Sequence, residues 1–159
     1  FFWLQNLFIK EWIHCDLKPN NIILVNFNKC KIKIIDFGIS CSINEPNKHF
    51  YVQSLYYRAP EIFLKIKYNY LIDIWSCGCI IGELYKGIPL FIGKNKDEQF
   101  KIISNIKSLN EIIPQKNNND NKHYLLFINL LTNMIIFNPN KRLNSEMLLK
   151  HNFLLNKIS

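Results

Sequence analysis

The chain has 159 residues, of which 48% are hydrophobic and 20% are charged, and its formal net charge at pH 7 is +8. This length fits one compact domain with a sizeable core, and the hydrophobic fraction excludes a wholly disordered protein. The 20 basic residues are scattered along the chain rather than clustered, so we expect a basic solvated surface and no nucleic-acid partner.

The apolar stretches and the cysteines argue against a secreted or membrane-spanning protein. The two longest apolar stretches, 74–82 and 125–137, are too short or too polar to cross a bilayer. The five cysteines form no C-x-x-C pair, and no N-x-S/T glycosylation site occurs. A reducing compartment is the expectation from this pattern, which means the cytoplasm, the nucleus or both, with no membrane partner.

The first third of the chain predicts little regular structure. Phe1–Leu4 is typical of the end of a helix and not of a signal peptide. Ile22–Val25 and Lys31–Ile35 are short β-type runs separated by turn formers, and the alternation in the second run predicts one buried strand face. Residues 38–60 are rich in turn formers and predict an extended, irregular segment.

The remainder of the chain predicts helices. Leu71–Lys86 is apolar on nearly every side, which indicates a buried central helix ending at Gly87. Further helices are predicted at 97–107, 125–137 and 145–150, with a polar, Asn-rich loop at 117–121. Two small strands followed by helices predict an α+β fold that is mostly α.

Three short motifs carry the densest chemical signal. They are His14-Cys15-Asp16-Leu17-Lys18-Pro19-Asn20-Asn21, Asp36-Phe37-Gly38 and Ala59-Pro60-Glu61. Each residue alone has an ordinary structural interpretation, such as a helix cap or a turn. The three motifs together, in this order, make chance a poor explanation.

The residue types in these motifs suit phosphoryl transfer. An attacking hydroxyl needs a nearby acceptor for its proton, and Asp16 is a short acid on a constrained loop. Lys18 can offset charge on the transferring phosphoryl group. Mg²⁺ prefers hard oxygen ligands, which the Asn21 amide and the Asp36 carboxylate supply.

The motifs resemble the H-R-D-L-K-x-x-N, D-F-G and A-P-E series of eukaryotic protein kinases. The resemblance implies the C-terminal lobe of that fold, with a small β-hairpin at the catalytic loop and an activation segment from 36 to 61. It implies ATP and Mg²⁺ as cofactors, bound by Lys18, Asn21 and Asp36, and a monomer acting on Ser or Thr of protein substrates. Asp16 and Lys18 are the catalytic residues that it implies.

Other residues are assigned structural support by the same resemblance. Asp73 opens a segment that resembles the buried F helix of kinases, whose Asp bonds the backbone of the catalytic loop. His14 is also assigned structural support. Arg142 lies in a segment that resembles the D-P-x-x-R of kinases, so an Arg142–Glu61 ion pair is predicted.

The sequence around Cys15 indicates a branch of the family. H-C-D-L-K-P and the segment from Tyr51 to Glu61 resemble the dual-specificity tyrosine-regulated kinases (DYRK) of the CMGC group. The resemblance implies autophosphorylation of Tyr51 and a phosphate bound by Arg58. The second arginine of the family falls at Leu55, so weaker binding of the phosphate is expected.

Two further residues of this segment belong to the activation and substrate loop. Ser54 occupies the position of a kinase Ser or Thr that bonds the catalytic Asp and Lys. Tyr57 lies three residues further on, immediately before Arg58.

The sequence contains no G-x-G-x-x-G loop and no V-A-I-K lysine, the parts that cover and align the ATP phosphates in kinases. We therefore expect residues 1–159 to be a partial kinase domain that lacks the N-lobe and is inactive alone. The alternative is a non-catalytic, pseudokinase-like interaction module. The presence of Asp16, Lys18, Asn21 and Asp36 favours the enzyme, because no packing requirement selects this chemical set.

Overall fold

The computed structural model describes residues 6–7, 10–26, 28, 31–45, 51–115 and 121–155. The expectations for Phe1–Leu4 and for 117–120 of the Asn-rich loop lie outside the described residues, whereas Asn121 already belongs to a helix.

Four short strands form two antiparallel pairs in the described part of the chain. They are β1 (Trp12–Ile13), β2 (Ile22–Asn26), β3 (Lys31–Ile34) and β4 (Cys41–Ser42). Strand β1 pairs with β4, and β2 forms a hairpin with β3 in a register that places Ile22 opposite Ile34. The predicted hairpin is therefore present, and the 14–21 loop leads from one strand pair to the other.

The prediction of a buried strand face in this hairpin is wrong. Leu24 and Ile32 are 49% and 44% exposed. Among the described hydrophobic residues of the two strands, the pair at the base of the hairpin, Ile22 and Ile34, packs against the core. A two-stranded ribbon needs a covering layer to bury one face, and alternation alone cannot show whether that layer exists.

The rest of the described chain is helical. The helices are α1 (Pro60–Phe63), α2 (Leu71–Lys86), α3 (Lys96–Ser104), α4 (Leu109–Ile112), α5 (Asn121–Met134), α6 (Ser145–Leu149) and α7 (Asn152–Leu155), with 3₁₀ turns at Pro19–Asn21, Leu55–Tyr57 and Pro139–Lys141. None of the described helices combines the length and apolar character that crossing a bilayer requires. The predicted α+β class with mostly helix is confirmed.

Helix α2 is the centre of the core, as its all-round apolar sequence predicts. Eleven of its 16 residues are buried. It ends where expected, at Gly87, which adopts a left-handed conformation with φ of 89° that glycine takes without strain. A Cβ atom at Gly78 would lie 2.9 Å from the Ile135 side chain, so glycine at this position allows the residue that follows α5 to pack closely against α2.

Three helices differ from their predicted bounds, since α6 ends at Leu149 and not at 150, and α3 and α5 begin earlier than predicted, at Lys96 and Asn121. Helix α3 ends at Ser104 and not at 107, because the side chains of Ser104 and Asn105 bond the carbonyls of Phe100 and Lys101. Helix α5 ends at Met134 and not at 137. The carbonyl of Ile136 is bound by a guanidinium instead.

That guanidinium belongs to Arg142, which forms the predicted ion pair with Glu61. Its Nη1 and Nη2 atoms donate to the two carboxylate oxygens at 2.9 and 3.2 Å, and neither side chain is more than 1% exposed. Arg142 also donates to the carbonyls of Leu71 and Ile136. The pair therefore joins α1, α2 and the chain beyond α5 at a fully desolvated point.

Replacing Arg142 with Met should lower the free energy of unfolding by about 3–5 kcal/mol, because the Glu61 carboxylate would remain buried without its cation. Urea denaturation of the chain measures this change. Arg142→Lys keeps the charge but loses the bidentate contact, so an intermediate loss is expected.

The matched control is Lys150→Met, which removes the exposed pair between Lys150 and Glu146. This variant should unfold like the wild type, since solvent screens an exposed pair. Equal losses for the Arg142 and Lys150 variants would contradict the assignment.

Candidate active site

The loop that follows β1 is fixed from below by Asp73 of α2. One carboxylate oxygen accepts the backbone N–H of His14 at 2.7 Å, and the other accepts that of Cys15 at 3.1 Å. Burial raises the pKa of Asp73 to about 7, and the two N–H donors oppose the rise. The contact predicted between Asp73 and the catalytic loop is thus present.

Asp16, which follows Cys15 in the loop, lies among polar side chains. Its Oδ2 atom accepts from the Lys18 ammonium at 2.6 Å. Its Oδ1 atom accepts the Ser54 hydroxyl at 2.8 Å and the Ser54 backbone N–H at 3.1 Å. Lys18 also donates to the Ser54 hydroxyl at 3.2 Å, which closes a triangle of three side chains. The predicted contacts of Ser54 with the acid and the lysine are confirmed.

This environment keeps Asp16 ionised. Partial burial raises the pKa of its carboxyl, but the hydrogen bonds from Lys18 and then Ser54 outweigh the burial and hold the pKa below its usual value. The group is therefore a carboxylate at neutral pH, which is the form that can accept a proton.

The His14 ring connects the loop to the end of β3. Its Nε2 faces the Ile35 carbonyl at 3.0 Å, and its Nδ1 accepts the Asp16 backbone N–H at 3.2 Å. Burial lowers the pKa of His14. A neutral ring with the proton on Nε2 satisfies both contacts, so His14 positions the backbone on each side of the site.

The hairpin register brings Asn21 and Asp36 to the same end of the β2–β3 ladder. Ile22 pairs with Ile34, and the Ile35 N–H donates to the Asn21 carbonyl at 3.0 Å, one residue before Asp36. The Asn21 side chain donates through Nδ2 to the Asp16 carbonyl at 2.8 Å, so its amide oxygen is turned away from Asp16.

This placement fits a divalent cation. An amide oxygen and a carboxylate are hard ligands of the kind that Mg²⁺ takes, and they lie beside a loop that is held by hydrogen bonds. Asp36 adopts a left-handed φ of 64°, which is uncommon for a residue other than glycine, and its Oδ1 atom accepts the Gly38 N–H at 3.4 Å.

Cys15 contributes no charge to the site. Its side chain is fully buried, with Sγ 3.6 Å from the Cys41 Sγ and 3.6 Å from the Ile13 carbonyl. Burial raises the pKa of the Cys15 thiol, which stays neutral. An anion in the activation segment must find its cations elsewhere, because Cys15 stands where the H-R-D motif of kinases has arginine.

Gln53 is a buried residue of this region that the sequence analysis missed. Its amide donates to the Ile72 carbonyl at 2.9 Å and to the Ser76 hydroxyl at 2.7 Å, and its Oε1 accepts the Ala59 N–H at 2.9 Å. Its own N–H donates to the Cys15 carbonyl. Gln53 therefore ties the activation segment both to α2 and to the catalytic loop.

Of the other activation-segment residues, Tyr57 and Arg58 are buried and Tyr51 is exposed. Tyr57 is buried and donates its hydroxyl to Glu83 of α2 at 2.7 Å, so it anchors the segment and does not face the acid. Arg58 is also buried, and its Nε and Nη2 atoms donate to the Gln53 carbonyl at 3.0 and 2.6 Å. Tyr51, by contrast, is 61% exposed.

Two cations lie beside Tyr51. The Arg58 guanidinium carbon is 4.2 Å from the centre of its ring, and the Lys96 ammonium is 4.3 Å from it. Hydrogen bonds from Arg58 first and from Lys96 second lower the pKa of the Tyr51 hydroxyl. The sequence analysis expects Arg58 at this position and does not anticipate Lys96.

Neither missed residue carries a local signal. Gln53 takes a φ of 65°, which no pattern of the surrounding residue types indicates. Lys96 is an ordinary helix-start lysine and reaches Tyr51 only through the packing of α3 against the activation segment.

Replacing Lys18 with Met should raise the pKa of the Asp16 carboxyl, because Lys18 provides the first of the hydrogen bonds that lower it. Ser54→Ala should raise the same pKa by a smaller amount. Carbon-13 NMR titration of the Asp16 carboxyl measures both changes. Lys101→Met removes an equal charge at an exposed position of α3 and should leave the titration of Asp16 unchanged. A Lys18→Met titration curve identical to that of the wild type would refute the assignment.

Comparison with known proteins agrees with this geometry. Residues 4–154 match the family model for the protein kinase domain. The chain is 35% identical to the serine/threonine-protein kinase ppk5 of Schizosaccharomyces pombe over 92% of this chain and 21% of that protein. It is 46% identical to the dual specificity tyrosine-phosphorylation-regulated kinase 2 of Drosophila melanogaster, over 67% of this chain and 14% of that protein.

A third relative is the DYRK-family kinase pom1 of Schizosaccharomyces pombe, 50% identical over 61% of this chain and 9% of that protein. The chain therefore spans about a fifth or less of the length of these curated relatives. With the loop, the acid and the supporting contacts arranged as above, the chain belongs to the protein kinase family and resembles its DYRK branch in the CMGC group.

Proposed function

We propose that this chain carries the phosphoryl-transfer site of a protein kinase that acts on serine and threonine and phosphorylates its own Tyr51. The observation that supports this most directly is the triangle of Asp16, Lys18 and Ser54, with the Lys18 ammonium 2.6 Å from the Asp16 carboxylate. A carboxylate held ionised beside a lysine, on a loop fixed by buried hydrogen bonds, suits the in-line attack of a hydroxyl on a phosphoryl group.

In the proposed mechanism the Asp16 carboxylate orients the attacking hydroxyl of the substrate and accepts its proton. Lys18 lies against the same carboxylate and offsets negative charge that develops on the phosphoryl oxygens. Ser54 fixes the carboxylate from the activation segment, so that a disordered segment would leave the acid misaligned. Asp73 and His14 act as positioning residues, since they hold the backbone and do not face a substrate.

Asn21 and Asp36 are proposed to hold Mg²⁺. When bound with ATP, the ion neutralises phosphate charge and so makes the phosphoryl group accessible to the hydroxyl. The donor chemistry supports this role, since an amide oxygen and a carboxylate are hard ligands, and the strand register brings both residues to one end of the β2–β3 ladder.

The domain boundaries remain proposals as well. We assign residues 1–159 to a partial kinase domain, the C-terminal lobe, and residues 36–61 to its activation segment. The sequence has no G-x-G-x-x-G loop, so we assign turnover to the protein that combines this chain with such a loop, and none to the chain alone. The proposed substrates are proteins with Ser or Thr acceptors, and the proposed state is a monomer.

Replacing Asp16 with Asn in that combined protein should lower turnover by about 10²–10⁴-fold, because the amide cannot accept the proton. Nucleotide affinity should be unchanged. A radiometric peptide assay and a fluorescent-nucleotide titration measure the two quantities. Glu146→Gln changes an exposed acid in α6 and should leave both at wild-type values.

Unchanged turnover in the Asp16 variant would remove this residue from the mechanism. Absence of turnover in the wild-type protein, with nucleotide and metal supplied, would favour the non-catalytic interaction module instead.

Incubating the combined protein with ATP and Mg²⁺ should place a phosphate on Tyr51. Tandem mass spectrometry of the peptide that contains Tyr51 detects it, and the Asp16→Asn variant should lack it. A wild-type peptide without phosphate would indicate that Tyr51 is only a packing aromatic.

A further inference from the structure

A cavity of about 350 Å³ lies beside Tyr51, between the activation segment, α1 and the first turn of α3. Its charged lining side chains are Arg58, Lys65, Lys96 and Asp97, three cations against one carboxylate, so that the lining carries a net formal charge of +2. The cavity is therefore a positively charged recess next to an exposed tyrosine.

The two cations that contact Tyr51 are held in different ways. Arg58 is buried, and its donation to the Gln53 carbonyl fixes the guanidinium in place. Lys96 is exposed, and it begins α3 directly after Asn95, whose side chain caps the helix by accepting the Glu98 N–H. A fixed planar guanidinium and a mobile ammonium on a flexible stem together can follow an anion that extends beyond the ring.

We propose that Lys96 and Arg58 together bind a phosphate on Tyr51, so that Lys96 replaces the cation that is lacking at Leu55. The inference rests on the proposed phosphorylation of Tyr51 and names what orders the phosphate once it is there. Lys96 lies 45 positions after Tyr51, so the phosphate joins the activation segment to α3.

The charges are of the right size. A tyrosine phosphate carries about −1.5 to −2 charges at pH 7, which matches the two cations within 4.3 Å of the ring centre. The lowered pKa of the Tyr51 hydroxyl has the same cause, since Arg58 and then Lys96 favour negative charge on that oxygen. Asp97 opposes the phosphate, and the amino end of α3 favours it.

The neutral side chain at position 55 has a defined consequence under this proposal. The first cation comes from the activation segment itself, whereas the second comes from a separate helix. Phosphorylation then restrains the segment against α3, and not only against its own backbone. Salt should weaken the restraint, because Lys96 is exposed and its charge is screened.

The test uses the 159-residue chain with phosphotyrosine incorporated at position 51 during translation. Phosphorus-31 NMR measures the second pKa of the phosphate. We expect Lys96→Gln to raise this pKa by roughly 0.2–0.7 pH units relative to the unsubstituted chain, because one neighbouring cation is lost. Lys96→Arg should restore it, and 1 M NaCl should reduce the difference.

Two control variants carry the same loss of charge. Lys101→Gln lies further along α3 and should leave the pKa of the phosphate unchanged. Lys65→Gln lies in the cavity and should shift it less than Lys96→Gln. Because Lys96 is exposed, circular dichroism should show equal folding of the variants, so that the phosphate pKa values are compared on the same fold.

A phosphate with the same second pKa in the Lys96→Gln and unsubstituted chains would overturn the proposal, as would a Lys65→Gln shift equal to or larger than that of Lys96→Gln. Because the phosphotyrosine is incorporated during translation, this result does not depend on kinase activity. A missing Tyr51 phosphate after incubation with ATP and Mg²⁺ would instead refute the autophosphorylation and leave the measured phosphate contacts standing.

Discussion

The hydrogen bonds between the Asp73 carboxylate and the backbone N–H groups of His14 and Cys15 fix the geometry on which the site depends. Asp73 is buried in α2, where a carboxylate without donors would be costly. The two N–H groups satisfy it and are held by it in turn. Since Asp16 follows directly after Cys15, the position of the acid is set by the central helix α2, in which eleven of 16 residues are buried.

The activation segment is fixed to the same helix through a separate set of contacts. Gln53 bonds Ile72 and Ser76 of α2 and donates its N–H to Cys15, while the Glu61–Arg142 pair closes the far end of the segment. Ser54 lies between these two anchors and reaches Asp16. A displacement of the segment must therefore break buried polar contacts, which couples its conformation to that of the acid.

The surroundings of Tyr51 combine cations from two different elements of the fold. Cys15 is buried and neutral, and Leu55 offers no cation, so two positions where the family resemblance implies arginine provide none. Arg58 and Lys96 lie beside the ring nevertheless. Cations can reach the tyrosine from any element that packs beside it, and here one comes from the activation segment and the other from α3.

The sequence was sufficient wherever the physical cause is local. The all-round apolar run with Gly87 after it determined α2, because burial and a left-handed cap are properties of a short segment. The order of three motifs singled out Asp16, Lys18, Asn21 and Asp36 as candidates, and the structure places Lys18 and Asn21 in hydrogen-bond contact with Asp16.

Only the tertiary structure decided the rest. The exposed face of the β2–β3 hairpin, the earlier end of α5, the role of Gln53 and the approach of Lys96 to Tyr51 all depend on which elements pack together. Alternation of residue types cannot show whether a strand is covered, and a lysine at the start of a helix is ordinary until its neighbour is known. Contacts between residues far apart in the chain follow from the packing of whole elements, and that information is not contained in any one segment.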